Sequence, residues 1–107
     1  MAMPDAIDAL LQLMEAPLAS LSSHVYNIGS FSPSAGEFAQ LVTDAFGAAN
    51  IRFEPDLRRQ AIVDSWPQAV DDSRARRDWG FDPAFDLRRT FDEYLLPNIR
   101  KRYSQAP

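Results

Sequence analysis

The chain has no cysteine, a single histidine (His24), a single lysine (Lys101) and only four glycines in 107 residues. The first absence removes disulfides, thiolate metal sites and cysteine nucleophiles, and is compatible with a reducing cytosol. His24 stands apart from any serine and carboxylate arrangement and reads as a structural or surface residue. The carboxylates are spread as helix caps and solvated faces, not at metal-ligand spacing. The glycines, Gly29, Gly36, Gly47 and Gly80, are too dispersed for the turn that brings a backbone against a pyrophosphate, so no dinucleotide fingerprint exists in the chain. The tyrosine and lysine pair four residues apart is also impossible, because the residue four before Lys101 is Pro97.

Positive charge is in short supply as well. A net charge of -4 argues against nucleic acid as a partner, since clustered cations supply most of that affinity. The first twenty-one residues mix Asp5, Asp8 and Glu15 into their apolar pattern without a basic leader, which resembles neither a signal peptide nor a membrane span. A soluble, cytoplasmic protein is expected. Hydrophobic residues make up 46%, enough for one small domain over 1–107, although a chain this short can retain an apolar face for a missing neighbour.

What is present is mostly helix signal. Ile7, Leu10, Leu11 and Met14 recur at helical spacing behind Pro4 and Asp5, predicting a helix from Pro4 to Ala16. A second helix carries Phe38, Leu41, Val42, Ala45 and Phe46, with either Ser32 or Ser34 as cap; Ser34 would close a capping box with Glu37. Asp72 or Ser73 caps a short helix that stops at Gly80, and Asp86 caps a long one from Leu87 to about Arg102, buried through Phe91, Tyr94, Leu95 and Ile99. Pro97 predicts a kink or restart within it. Strands are expected at His24–Ile28 and Ile51–Glu54, with a shorter extended piece at Ala61–Val63. The fold class is therefore α+β, with three to four helices and two or three short strands.

The densest chemistry lies between Pro55 and Phe81. Arg58 and Arg59 precede a β-like run, where a guanidinium holds a carboxylate or phosphate, or else pairs with Glu54 or Asp56. Arg74, Arg76 and Arg77 form a basic cluster that contacts a phosphate or, more simply, pairs with Asp71, Asp72 and Asp78. Trp66 precedes Pro67, so its backbone is extended and its indole either lines a pocket or enters the core. Trp79 reads as core.

The run Arg59-Gln60-Ala61-Ile62-Val63-Asp64-Ser65-Trp66-Pro67, then Asp71-Asp72-Ser73 with Ala75-Arg76, and Asp78-Trp79-Gly80-Phe81 with Pro83, resembles the C-terminal signature of epimerase-type L-threonine 3-dehydrogenases. These are extended short-chain dehydrogenase/reductases, related to nucleotide-sugar epimerases and dehydratases. Met3 to Ile7, Leu13 to Pro17, Tyr26-Asn27 and Ser30 to Pro33 resemble the same proteins in the same order. Phe81 departs from the pattern, standing where many members have a second Trp, and the placement of Arg58 depends on loop length.

The resemblance implies the small substrate-binding lobe of an α/β Rossmann enzyme, without the N-terminal domain that binds NAD and carries the Ser, Tyr and Lys catalytic set. It implies a ligand-facing role for Trp66, and loop-organising roles beside the substrate for Arg59 and Asp64. No catalytic, cofactor-binding or metal-ligating residue is expected in this chain, and L-threonine or a related small molecule would be the substrate of the parent. Two alternatives stand beside this: the lobe of a nucleotide-sugar epimerase or dehydratase, with Arg59 facing a pyrophosphate, and a non-enzymatic interaction module that self-associates through its exposed apolar face. Such a lobe would be either expressed as a fragment or encoded as a truncated protein.

Overall fold

The structure is a computed structural model that describes residues 1–104. Every regular element among the described residues is helical. Two compact units are distinguished: one comprises 1–31 and the chain from Val70 onward, the other Ser32–Ala69.

The first unit opens with α1, Met3–Glu15. Pro4 occupies its first turn, where no amide hydrogen is needed, and Asp5 faces the positive end of the helix dipole. Ala16, held extended before Pro17, ends it. A single 3-10 turn follows at Leu18–Ser20.

The apolar stripe read from the sequence is real but points outward. Ile7, Leu10, Leu11 and Met14 are all at least half exposed, and the residues buried on α1 are Asp5 and Ala9. Asp5 is not a stray charge, because its carboxylate accepts the backbone N–H groups of Ala84 (2.9 Å) and Phe85 (3.1 Å). This ties α1 to the segment that leads into the last helix.

The core of this unit is small: Ala9, Ala75 and Phe81, with Met1, Tyr26, Ile28 and Trp79 packed around them. Trp79 meets the Tyr26 ring edge-on at 5.9 Å between centroids and the Phe81 ring at 5.5 Å. Trp79 is the last residue of the helix Ser73–Trp79, which closes at Gly80 in the left-handed conformation (φ 76°), and Phe81 follows directly. Gly29 is the other glycine with a steric reason, since a Cβ there would meet the Val70 side chain at 3.3 Å.

The second unit contains α2, Ala35–Ala45, and α3, Leu57–Asp64. Ser34 is the cap of α2, and the capping box is complete: Glu37 N–H donates to Ser34 Oγ (3.1 Å) and Ser34 N–H to Glu37 Oε2 (2.7 Å). No side chain between 32 and 69 is buried.

Returning to the first unit, Ser73–Trp79 is α4 and Leu87–Arg89 is α5, which runs on through a π-helical stretch, Thr90–Leu95, into α6, Leu96–Ser104. Asp86 caps α5 through the N–H of Arg89 (2.7 Å). The expected irregularity at Pro97 takes the form of the wider π turn just before it, where Leu96 N–H reaches the Phe91 carbonyl. Proline has no N–H to continue the α pattern, and a π turn is a common way for a helix to absorb such a break. Phe91 and Leu96 are buried, whereas Tyr94, Leu95 and Ile99 are only partly so.

The α+β expectation is overturned, and each proposed strand has its own reason for failing. At His24–Ile28, Ser23 Oγ accepts the Val25 N–H (3.2 Å) and the Tyr26 hydroxyl bonds Asp78 (2.9 Å), so side chains fix a loop in place of a ladder. Ile51–Glu54 is irregular and exposed, with no neighbouring strand to take its backbone groups. Ala61–Val63 lies inside α3, whose cap, Asp56, accepts the N–H groups of Arg58 (3.1 Å) and Arg59 (3.3 Å).

Candidate functional site

The residues singled out from the sequence sit on or just after α3. Arg59 lies in its first turns, exposed, with Nε 3.6 Å from Asp56. That pairing realises one of the two readings of this arginine, but at such exposure it leaves the guanidinium available to other anions. Trp66 lies two residues beyond the helix; its backbone N–H donates to the Val63 carbonyl (3.0 Å), and the residue is 65% exposed. It has therefore not entered a core within its own unit.

Helical geometry places Ile62 and Val63 three and four residues after Arg59, flanking its face of α3, so that a cation is followed by two aliphatic groups; Trp66 lies two residues beyond the end of the helix. Asp64, the last residue of α3, lies about 140° around the helix from Arg59 at 100° per residue, so it does not join that face. Ile62 and Val63, which residue-type reasoning passed over, are exposed at 59% and 54%. The signal that would have found them is the cap at Asp56 followed by Leu57-Arg58-Arg59-Gln60-Ala61, a run of good helix formers.

In the first unit the basic cluster of α4 is largely neutralised. Arg76 Nε bonds Asp72 (2.9 Å) and its Nη1 bonds Asp82 (3.2 Å), which raises its own pKa and lowers that of Asp72. Arg77 Nε bonds Asp78 (3.0 Å). Asp78 also accepts from the Ser22 hydroxyl and N–H and from the Tyr26 hydroxyl, and these bonds, the Ser22 hydroxyl foremost, hold its carboxyl far below the usual range. Asp71 accepts the Ser73 N–H (3.0 Å), and Asp72 supplies no side-chain cap, so the acidic pair divides its work between a turn and an arginine. His24 is exposed on its loop.

A nicotinamide cofactor does not fit these residues. No strand feeds a glycine turn among the described residues, and the glycine with positive φ, Gly80, closes a helix instead of opening one. Among the same residues there is no group of three or more potential metal ligands, and no helix is long and apolar enough to cross a membrane.

The homologues of this chain are L-threonine 3-dehydrogenases and uncharacterized epimerase/dehydratases, each matched over part of its own length, which is consistent with a C-terminal portion of an extended short-chain dehydrogenase/reductase. Among individual relatives, the mitochondrial L-threonine 3-dehydrogenase of Sus scrofa is 46% identical over 83 residues, 78% of this chain and 22% of that protein. An uncharacterized epimerase/dehydratase of Staphylococcus epidermidis is 35% identical over 107 residues, 99% of this chain and 33% of that protein. Among solved structures, the apo GalE-like L-threonine dehydrogenase from Cupriavidus necator superposes with a TM-score of 0.82 at 41% identity, covering 92% of this chain and 35% of that one. The chain thus spans about a fifth to a third of the length of these relatives. No protein-family model matches it.

Proposed function

We propose that this chain acts as the substrate-binding lobe of an L-threonine 3-dehydrogenase-like enzyme, a single functional lobe over 1–107. The observation that carries the reading is the joint agreement in sequence and shape with an L-threonine dehydrogenase, 41% identity at a TM-score of 0.82 over 92% of the chain. In the whole enzyme the reaction is NAD-dependent oxidation of L-threonine at its 3-hydroxyl, giving 2-amino-3-oxobutanoate. The hydride acceptor and the catalytic set belong to an N-terminal NAD-binding part, and no step of that chemistry is assigned to residues of this chain.

What this chain contributes is binding and shape. Trp66 offers a rigid apolar wall with one N–H donor, a surface suited to shielding a small substrate from water. Arg59, exposed in the first turns of α3, offers a planar cation for the substrate carboxylate. The turn that leads from α3 into the Trp66-Pro67 corner is held by Ser65, whose hydroxyl donates to the Ile62 carbonyl (2.6 Å), while Asp64 makes no side-chain hydrogen bond with a described residue and faces outward for the substrate side. The exposed stripe of α1 is the surface that meets the NAD-binding part; without it, the same stripe drives self-association. A cytoplasmic setting suits an enzyme of this kind, although the Sus scrofa relative is named mitochondrial.

The purified 107-residue chain, mixed with L-threonine and NAD, should give no NADH absorbance. Reduction of NAD by the chain alone would overturn the assignment of catalysis to another part. The epimerase/dehydratase names among the relatives favour a second reading, in which Arg59 faces the pyrophosphate of a nucleotide sugar. Calorimetry of a whole enzyme carrying this lobe, with L-threonine and with UDP-sugars in separate titrations, separates the two: heat with threonine only supports the first, and heat with UDP-sugars only supports the second.

A further inference from the structure

Within the first unit, the loop around 23–27 and α4 enclose an open cavity of about 470 Å³. Its size falls in the range of ligand sites, but its lining is unlike the apolar lining usual for them. Ser23 and Asn27 contribute from the loop, and Asp71, Ser73, Arg74 and Arg77 from the other side.

The hydrogen-bond inventory of these groups is uneven in an informative way. Arg77 is committed to Asp78 (3.0 Å) and the Ser22 hydroxyl (3.4 Å), and the Ser73 N–H to Asp71 (3.0 Å). The Arg74 guanidinium, by contrast, makes no hydrogen bond or ion pair with any described residue, and neither does the Asn27 carboxamide. Ser23 Oγ accepts from the Val25 N–H, which leaves its hydroxyl hydrogen free to donate. Ser23, Asn27 and Arg74, from two separate segments, therefore line one cavity with none of these three side chains donating a hydrogen bond to a described residue, while the Asp71 carboxylate on the same wall attracts Arg74 electrostatically.

We infer that this cavity binds a small oxyanion, a phosphate or carboxylate group, through the Arg74 guanidinium with the Ser23 hydroxyl and the Asn27 amide. A guanidinium meets two oxygens of such a group at once, and charged hydrogen bonds of this kind are the stronger class. Arg77 on the same wall is neutralised by Asp78, so the attraction rests on Arg74. Asp71 limits the site: its carboxylate lines the cavity and repels the ligand, so a single compact anion is accommodated and an extended polyanion is not. The inference is independent of the threonine reading, because it uses neither α3 nor Trp66.

The test is an NMR titration of the ¹⁵N-labelled 107-residue chain with inorganic phosphate and, separately, with acetate, each against chloride at equal ionic strength. Saturable shifts of the Asn27 side-chain amide and the Arg74 Nε–H are expected, with a Kd on the order of 1 mM for a site this open. Saturation with phosphate alone, with acetate alone or with both assigns the chemical source of the ligand group. Arg74→Gln should weaken binding by about tenfold, Asp71→Asn should tighten it, and Arg88→Gln, whose arginine is paired with Asp92, should leave it unchanged. Shifts reproduced by chloride, equal affinity in Arg74→Gln, or weaker binding in Asp71→Asn would each overturn the proposal.

Discussion

Asp78 concentrates more partners than any other carboxylate described above. Its Oδ2 receives the Ser22 N–H and hydroxyl and the Tyr26 hydroxyl, and its Oδ1 receives Arg77. All of these favour the ionised form, so its folded pKa lies well below the ordinary 3.8. A depressed folded pKa means stability that is fully present above the ordinary value and is lost as pH falls below it. Asp78→Asn should therefore lower the melting temperature at neutral pH and flatten the acid limb of the stability curve below about pH 4. Thermal melts across that range check this, and parallel acid limbs for the two proteins would refute it. Phe81 is a different kind of single-residue test. With a ring only 3% exposed in a core of few large side chains, Phe81→Ala should cost about 3–5 kcal/mol, read as a shifted urea midpoint, and a cost under about 1 kcal/mol would mean that the core is held elsewhere.

At the scale of elements, α3, like α2, has no buried residue, so its Asp56 cap carries much of its local stability. Asp56→Ala should withdraw about 1 kcal/mol from it and reduce far-UV helicity, whereas unchanged helicity would show that something other than the cap holds it. The same helix shows where local sequence stops being informative. Ile62 and Val63 are β-branched and point toward strand, yet the Asp56 cap and the run Leu57 to Ala61 prevail. Helices with an explicit end signal were legible: α2 from Ser34 and Glu37, α4 from Gly80, and α5 from Asp86. The strands were not, because a strand exists only through a partner, and neither HVYNI nor IRFE encodes one. For the candidate site, Trp66 and Arg59 were singled out by residue type, while the placement of Arg59 beside Ile62 and Val63 needed the helix.

For the whole molecule, the distribution of apolar surface matters more than its amount. α1 buries Asp5 and Ala9 and leaves Met3, Ile7, Leu10, Leu11 and Met14 between 50% and 73% exposed. Periodicity identified that stripe correctly but could not say which side would be covered, since the covering surface is not part of the periodicity. Exposed stripes of this size mark contact surfaces. Leu10→Glu with Met14→Glu should reduce binding of an apolar dye and any concentration-dependent self-association, while Asp78-dependent acid stability stays as it was. Dye binding that persists at full strength would move the contact surface away from α1.

The two tryptophans also make the molecule its own spectroscopic reporter. Trp79 sits against Tyr26 and Phe81 in one unit, and Trp66 stands largely in solvent in the other. Their emission separates by colour and by access to iodide, so a single fluorescence experiment follows the events at α3 and the integrity of the first unit as two channels. Replacing Trp66 with Phe leaves a clean record of the second.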